Sequence, residues 1–337
     1  MKHSLKRFAS LSLAVVLTMQ VFSVAPLQVA AVDSQGIQEL YKGLTYEAQS
    51  FENTDDANVN AFVITVDTAA NPDLAFVAGS PNEEQPLKEG LQQTTSDQAK
   101  AAALNGRNVL AAVNADFFNI NDSDKIQPTG LMIQDGVELT PYYQFTGPDD
   151  PEHGVRLFFG VTDDGEAIIG DENTYEERKD ELYQAVGGRY LLVDEGKAQT
   201  YDGDISFETE RAPRTAVGIR EDGSVLLVVI DGRNSGGSAG TTLAETADYM
   251  VELGAETALN LDGGGSSTAV IKNPETRNYE VKNVPSDGKE RPVGNTLLVI
   301  DTSEESTSVD LEQDDDGYYL LTAPEDFREI LDGPSED

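Results

Sequence analysis

Leu157-Phe158-Phe159-Gly160-Val161, followed across Thr162 by Asp163-Asp164-Gly165, is a short apolar run closed by an acidic-glycine turn. The run has the length of a strand, and Asp-Gly supplies the backbone freedom that a tight reversal needs. The pattern recurs on both sides, with Leu131-Met132-Ile133 before Asp135-Gly136 and Val225 to Ile230 after Asp222-Gly223. Residues 130–232 therefore read as an antiparallel meander, and the charged stretch 171–184 within them as an exposed helix or an insertion. Nearer the N-terminus, residues 32–58 read as a polar, irregular extension. Ala61 to Asp67 and Leu74 to Ala78 flank a turn at Asn71-Pro72 and read as a hairpin. Ser96 to Asn105 is alanine-rich and helix-like with Gly106 as its stop, and Val109 to Val113 is a buried-strand run ending on Asn114-Ala115-Asp116-Phe117-Phe118. Farther on, Thr242-Leu243-Ala244-Glu245 has capping-box spacing, and Leu243, Ala247, Met250 and Val251 form one apolar helical stripe that stops at Gly254. A strand, Ala258-Leu259-Asn260-Leu261-Asp262, then runs out into Gly263-Gly264-Gly265.

Composition narrows the chemistry. The 337 residues carry 61 acidic and 23 basic side chains, a net charge of −38. Nucleic acid is excluded as a partner, because binding it requires a basic face that displaces counterions. Cysteine is absent, so thiolate nucleophiles, thiolate metal sites and disulfides are excluded. The first seven residues place Lys2, Lys6 and Arg7 ahead of an apolar stretch from Phe8 to Ala25, the pattern of a secretory leader cut after Ala31. An uncleaved anchor is the competing reading, against which Thr18, Gln20 and Ser23 interrupt the stretch. The expectation is a secreted or envelope protein, with no membrane contact after cleavage. Beyond the leader the only histidine is His153, which excludes multi-histidine zinc sites and leaves carboxylates, amides, hydroxyls and arginines. After Asp301 the chain turns to Glu, Asp and Ser, apart from Tyr318 to Leu321, and residues 302–337 read as an acidic tail or linker.

Four clusters could carry chemistry. In the first, Gly263, Gly264 and Gly265 at a strand exit can expose backbone N–H groups to an anion, with Asn260, Asp262, Ser266 and Ser267 around them. It is neither a P-loop, since Ser266 stands where the Lys would follow, nor a serine elbow, since Thr268 occupies the second glycine position. In the second, Arg214 enters an apolar strand after Pro213 and could clamp a phosphate, with Arg291 as a second candidate. In the third and fourth, Asp116 and Asp231 end strands as Asp262 does. The three carboxylates could converge as nucleophile or base with supporting groups, or serve only as turn formers.

Taken in order, Asn114-Ala115-Asp116-Phe117-Phe118, Pro128-Thr129-Gly130-Leu131-Met132, Pro213-Arg214-Thr215-Ala216-Val217-Gly218, Asn260 through Thr268 and Arg291-Pro292-Val293-Gly294-Asn295 resemble the phosphodiester glycosidase family. The likeness runs from about Val59 to Ile300, and the order and spacing of the motifs are more specific than any one of them. It implies an α+β fold, a mixed and largely antiparallel sheet with a few packed helices, across a domain of residues 59–301. It also implies hydrolysis of a sugar 1-phosphodiester such as one of N-acetylglucosamine, with Asn114, Asp116, Arg214, Asp231, Asn260, Asp262, Gly263, Gly264, Ser266, Ser267 and Arg291 lining the site. Two departures bear on the substrate rather than the fold: Arg189 and Tyr190 stand where a third glycine or a proline is expected, and Asp116 where relatives often have glycine.

The expected reaction is cleavage of the glycosidic C–O bond of a glycosyl phosphodiester in an envelope or extracellular glycan. Asp262 is the first choice of base or nucleophile, Asp116 the second and Asp231 a supporting carboxylate, while Arg214, Arg291 and the glycine-loop amides hold phosphate. No cofactor is required, although the oxygen-rich run Asn119 to Asp124 could bind Ca²⁺. Two alternatives are a metal-assisted phosphodiesterase with Asp116, Asp231 and Asp262 as ligands, and a non-catalytic module that binds anionic glycans.

Overall fold

The computed structural model describes residues 35–88, 90–118, 127–142, 156–201, 203, 205–303, 311–313 and 319–321. The expectations for the leader, for Asn119 to Asp124, for His153 and for most of the acidic tail lie outside the described residues. Every strand pairing among the described residues is antiparallel, so the fold is largely β with a few packed helices, the coarse form of the α+β expectation.

Three sheets make up the body. The largest has eight strands in the spatial order Gln35–Tyr41, Leu44–Glu52, Asn58–Val66, Val225–Ile230, Arg214–Arg220, Ala255–Asn260, Leu191–Asp194 and Lys197–Ala198. Val225–Ile230 is buried at every position, as a strand covered on both faces must be. One five-stranded sheet runs Val137–Thr140, Met132–Gln134, Leu182–Arg189, Arg156–Thr162 and Ala167–Gly170. The other runs Tyr279–Val281, Ala269–Lys272, Asn108–Asn114, Thr296–Asp301 and Leu74–Gly79, and its central strand Asn108–Asn114 is likewise wholly buried. A common core gathers Ile64, Val66, Leu110, Val113, Val186, Val217, Leu227, Leu259 and Val299 from all three sheets.

The local signals in the sequence formed as their chemistry requires. The helix Leu243–Glu252 starts on a reciprocal capping box, with the Thr242 hydroxyl accepting from the Glu245 N–H and the Glu245 carboxylate accepting from the Thr242 N–H. It buries Leu243, Ala247 and Met250 and stops at Gly254, whose φ is +85°. The helix Thr95–Leu104 is capped by Thr94, and Gly106 follows at φ +102°.

Pairing at long range departed from the linear reading in three places. Asn58–Val66 and Leu74–Gly79 do not form a hairpin, since the first pairs with Leu44–Glu52 and Val225–Ile230 and the second with Thr296–Asp301. The meander of residues 130–232 is divided: its first half builds one five-stranded sheet, whereas Arg214–Arg220 and Val225–Ile230 belong to the eight-stranded one. Residues 35–52, expected to be irregular, are a hairpin that extends the large sheet. In the first two places the strands pair with segments distant in sequence, which supply hydrogen-bond partners on the sheet that the adjacent segment does not. Of the expected tail, Leu311–Gln313 and Tyr319–Leu321 pair as a separate two-stranded sheet.

Leu259 lies fully buried beneath Gly188, where its Cδ2 would come within 2.8 Å of any added Cβ. Leu259→Ala is therefore expected to cost about 2–5 kcal/mol of unfolding free energy, read from the urea midpoint at unchanged m-value.

Candidate active site

Two carboxylates sit where strands of different sheets end together. Asn108–Asn114 delivers Asp116, and Ala255–Asn260 delivers Asp262. Asn114 joins the two ends: its amide donates to the Asp262 carbonyl at 2.6 Å, while its carbonyl oxygen accepts from the Thr215 hydroxyl at 2.8 Å and the Thr268 N–H at 3.1 Å. The Asp262 N–H donates in turn to the Ala115 carbonyl at 2.8 Å. Asn114 is wholly buried and fully engaged, so it positions the site rather than facing a ligand.

Asp116 is 2 % exposed and accepts from the Phe117 N–H at 2.7 Å and the Gly130 N–H at 2.5 Å. Its backbone N–H donates to the Asn295 side-chain oxygen at 2.9 Å. Gly130 and Gly187 close around it, and a Cβ on Gly187 would stand 2.7 Å from the carboxylate. Burial pushes the Asp116 pKa up to about 6, against the two backbone donors and the charge of Arg189; the nearby Asp262 charge adds to the rise. Asp262 is partly open to solvent and accepts from the Gly263 N–H at 2.9 Å. Burial pushes it also to about 6, opposed by a hydrogen bond from Ser266 and the charges of Arg291 and Arg189. The two form a dyad of carboxylates whose pKa values burial has raised toward neutrality.

The glycines work differently from the expected anion nest. The Gly263 N–H is used by Asp262, the Gly264 N–H donates to the Pro213 carbonyl at 2.8 Å, and the Ser266 N–H donates to the Gly263 carbonyl at 3.2 Å. What the missing side chains provide is close approach. A Cβ on Gly263 would stand 2.7 Å from the Pro213 carbonyl oxygen, one on Gly264 would stand 3.1 Å from the Arg233 guanidinium, and one on Gly265 would overlap the Arg291 guanidinium and Asp287. The triple glycine is a seat for two arginines.

Both arginines expected to clamp phosphate are engaged by the protein itself, Arg214 by backbone carbonyls and Arg291 by a carboxylate. Arg214 is 1 % exposed; its Nε donates to the Thr241 carbonyl at 3.1 Å and one Nη to the carbonyls of Phe207 and Glu210, both at 2.8 Å. Burial pulls its pKa down to about 10, and the neighbouring charge of Arg233 pulls the same way. It ties down the segment that carries Phe207, whose ring lies beneath its guanidinium at 4.6 Å. Arg291 is paired with Asp287 at 2.8 Å and lies 3.5 Å from the Ser266 hydroxyl.

Asp231 does not join the dyad. Its carboxylate accepts from the Asn283 amide at 3.0 Å and from the Val284 N–H at 3.0 and 3.1 Å, and burial pushes its pKa to about 6. The three-carboxylate convergence is therefore not assembled, and no cluster of three acidic or histidine side chains suited to a metal occurs among the described residues. Ser267 accepts from the Thr215 hydroxyl at 3.2 Å, and Asn260 is fully buried with its amide donated to the Leu261 carbonyl at 2.8 Å. Both stand behind the site. The Asn260 side-chain oxygen and the Asn295 side-chain nitrogen are buried without a hydrogen-bond partner among the described residues. Cavities of about 510 and 500 Å³ lie elsewhere, and neither is lined by Asp116 or Asp262.

Sequence reasoning gave no role to Arg233 and treated Arg189 only as a departure from pattern. The readable signal for Arg233 was its place after Asp231-Gly232 at a strand end, facing a glycine-rich loop. For Arg189 it was a cation beside Gly187-Gly188, where the strand Leu182–Arg189 ends and Tyr190, at φ +70°, turns the chain into the next sheet.

This arrangement, strand-end carboxylates ringed by arginines in a three-sheet antiparallel body, has relatives. The phosphodiester glycosidase family profile matches residues 107–300, and the chain belongs to that family. Human N-acetylglucosamine-1-phosphodiester alpha-N-acetylglucosaminidase is 28% identical over 188 residues, 53% of this chain and 34% of the human protein. The SPbeta prophage-derived protein YomE of Bacillus subtilis is 28% identical over 218 residues, 61% of this chain and 30% of its own length. The chain thus spans about a third of the curated relatives it matches. The catalytic domain of the zebrafish glucosaminidase, solved auto-inhibited by its pro-peptide, shares the fold at a TM-score of 0.57 and 20% identity, covering 79% of this chain and 87% of that one. A protein from Synechocystis shares it at 0.53 and 18%, covering 77% and 62%.

Two expectations follow. Asn114→Ala should cost about 1–3 kcal/mol, because it leaves the Asp262 carbonyl and the Thr268 N–H without their partner, and should reduce activity although both carboxylates remain. Asp262→Asn should unfold at higher temperature than the parent above pH 6. A carboxylate whose folded pKa is raised opposes folding once it ionises, so the cost grows as pH rises from about 4 to about 6. The gain should be about 2–4 °C for each kcal/mol relieved, and the two melting curves should merge below about pH 4, measured by calorimetry.

Proposed function

We propose that this protein hydrolyses the glycosidic C–O bond of a sugar 1-phosphodiester. The observation that carries this reading is the Asp116–Asp262 dyad, two carboxylates raised to about 6 and edged by guanidinium groups. Such a pair suits a reaction in which positive charge develops on a sugar ring while a phosphate departs.

The electron flow follows from the chemistry of the leaving group. The bond between the anomeric carbon and the bridging oxygen breaks with its electron pair going to phosphate. A phosphate monoester with its second pKa near 6 is stable as the dianion, so departure needs no strong general acid. The electron-poor anomeric carbon is stabilised by the ionised carboxylates, and water supplies the new oxygen while Asp262 or Asp116 takes the proton. Asp262 is the better placed, because it is the more open of the two; Asp116 is wrapped by Gly130 and Gly187.

The apolar stretch Phe8 to Ala25, read as a secretory leader, supports an envelope or extracellular glycan with sugar-phosphate links as the source of substrate, and the activity for which the human relative is named supports N-acetylglucosamine as the sugar. No cofactor enters this scheme.

In oxygen-18 water with an N-acetylglucosamine 1-phosphodiester, label is expected on the sugar, and Asp262→Asn should be inactive. Label on phosphate would mean P–O cleavage and would overturn the reading. The kcat/KM should fall as pH drops through about 6, where the dyad loses its charge, with apparent values that belong to the pair.

A further inference from the structure

In a chain with 61 acidic against 23 basic residues, a guanidinium that makes neither an ion pair nor a hydrogen bond requires an explanation. Arg107, Arg178, Arg211 and Arg291 each pair with carboxylates, and Arg214 and Arg220 donate to backbone carbonyls. The guanidinium groups of Arg189 and Arg233 do neither among the described residues; the charge of Arg189 acts on both Asp116 and Asp262, and Arg233 packs on the loop that follows Asp262. Arg189 lies over the ring of Phe117, 5.1 Å from its centroid, one residue from Asp116. Arg233 rests against Gly264, two residues from Asp262.

The backbone holds Arg233 there at a cost. Arg233 and Asn234 both adopt left-handed conformations, with φ of +58° and +63°, which side chains larger than glycine rarely take. The turn is locked by the Asn234 N–H donating to the Ser238 carbonyl at 2.8 Å, and by the Ser235 and Ser238 hydroxyls, which donate to the Val284 and Asp231 carbonyls, each at 2.7 Å. Gly232 packs against the Ala212–Pro213 backbone, where a Cβ would come within 2.5 Å. Pro213 also receives the Gly264 N–H, so the turn bearing Arg233 and the loop bearing Asp262 are fastened to the same backbone.

Building on the glycosidase reading, we propose that Arg189 and Arg233 form a two-guanidinium clamp for the phosphate of the substrate, gripping it from opposite chain segments beside the carboxylate dyad. A phosphodiester has two non-bridging oxygens and a single negative charge, and two planar forks with unused donors match it. Arg214 and Arg291 serve as supports, one holding the Phe207 segment and the other packed on Gly265.

The test compares Arg189→Met and Arg233→Met with the parent in three readouts: hydrolysis of an N-acetylglucosamine 1-phosphodiester, hydrolysis of an aryl N-acetylglucosaminide lacking phosphate, and binding of inorganic phosphate by calorimetry. Lys197→Met, a distant exposed cation, is the control. Each clamp variant is expected to lose on the order of 10–100-fold in kcat/KM on the phosphodiester and in phosphate affinity, and to lose at least about tenfold less on the aryl glycoside, where Arg189→Met acts only through the charge it withdraws from Asp116 and Asp262. Arg→Lys should recover part of the loss. Arg233→Met should keep its melting temperature, because no hydrogen bond of its guanidinium to a described residue is removed, whereas Arg189→Met should melt lower above about pH 6, where it no longer offsets the charges of Asp116 and Asp262. Equal losses on both glycosides, or phosphodiester turnover and phosphate binding within twofold of the parent, would overturn the clamp. Should the parent cleave neither glycoside, the glycosidase reading fails, and phosphate binding alone decides the clamp: binding that both variants lose upholds it, and absent or unchanged binding refutes it.

Discussion

Asn114 holds two sheets in register at the point where both carboxylates emerge. With one amide it satisfies the carbonyl of Asp262 and, in a region closed to water, the hydroxyl of Thr215 and the N–H of Thr268. Water cannot substitute at Thr268, so its N–H would otherwise bear a desolvation cost. The Asp262 N–H to Ala115 carbonyl bond then follows, and with it the proximity that couples the two carboxylates. Placement of the dyad is therefore a property of the seam between sheets rather than of any single loop.

Charge is organised around that seam against the bias of the whole chain. A surface with so many carboxylates repels anions at long range, and a phosphodiester must find its attraction at short range instead. Four guanidinium groups lie on the segments around the glycine loop and the strand exits: Arg214 is buried against carbonyls, Arg291 is matched to Asp287, and Arg189 and Arg233 have no carboxylate partner among the described residues. Withdrawing the ionised carboxylates from water opposes folding, fully for Asp116 and in part for Asp262, and the same desolvation raises their pKa values.

The glycine cluster shows where local reading reaches its limit. From the sequence, three glycines at a strand exit suggest exposed amides, because only the backbone is visible to local reasoning. In the fold the amides of Gly263 and Gly264 turn inward to Asp262 and Pro213, and the space left by the absent side chains is filled by arginines distant in sequence. Likewise, the apolar strand that opens on Arg214 was legible, but the carbonyls that occupy its guanidinium come from a short helix and from the loop before the next one. Asp231 ends its strand as read, yet the partner it finds is the loop at Asn283 and Val284.

The sequence alone determined the elements whose physics is local: the capping box at Thr242, the glycine stop at Gly254, the buried strand before Asn114 and the acidic-glycine turns. It also determined the chemical alphabet, since a chain with no cysteine and two histidines leaves carboxylates and arginines to act. Only the tertiary structure decided which strands share a sheet, which two of three strand-end aspartates meet, and which arginines keep a free charge. Those outcomes depend on the competition among distant groups for a small number of buried hydrogen bonds and apolar faces, and no local pattern records who wins it.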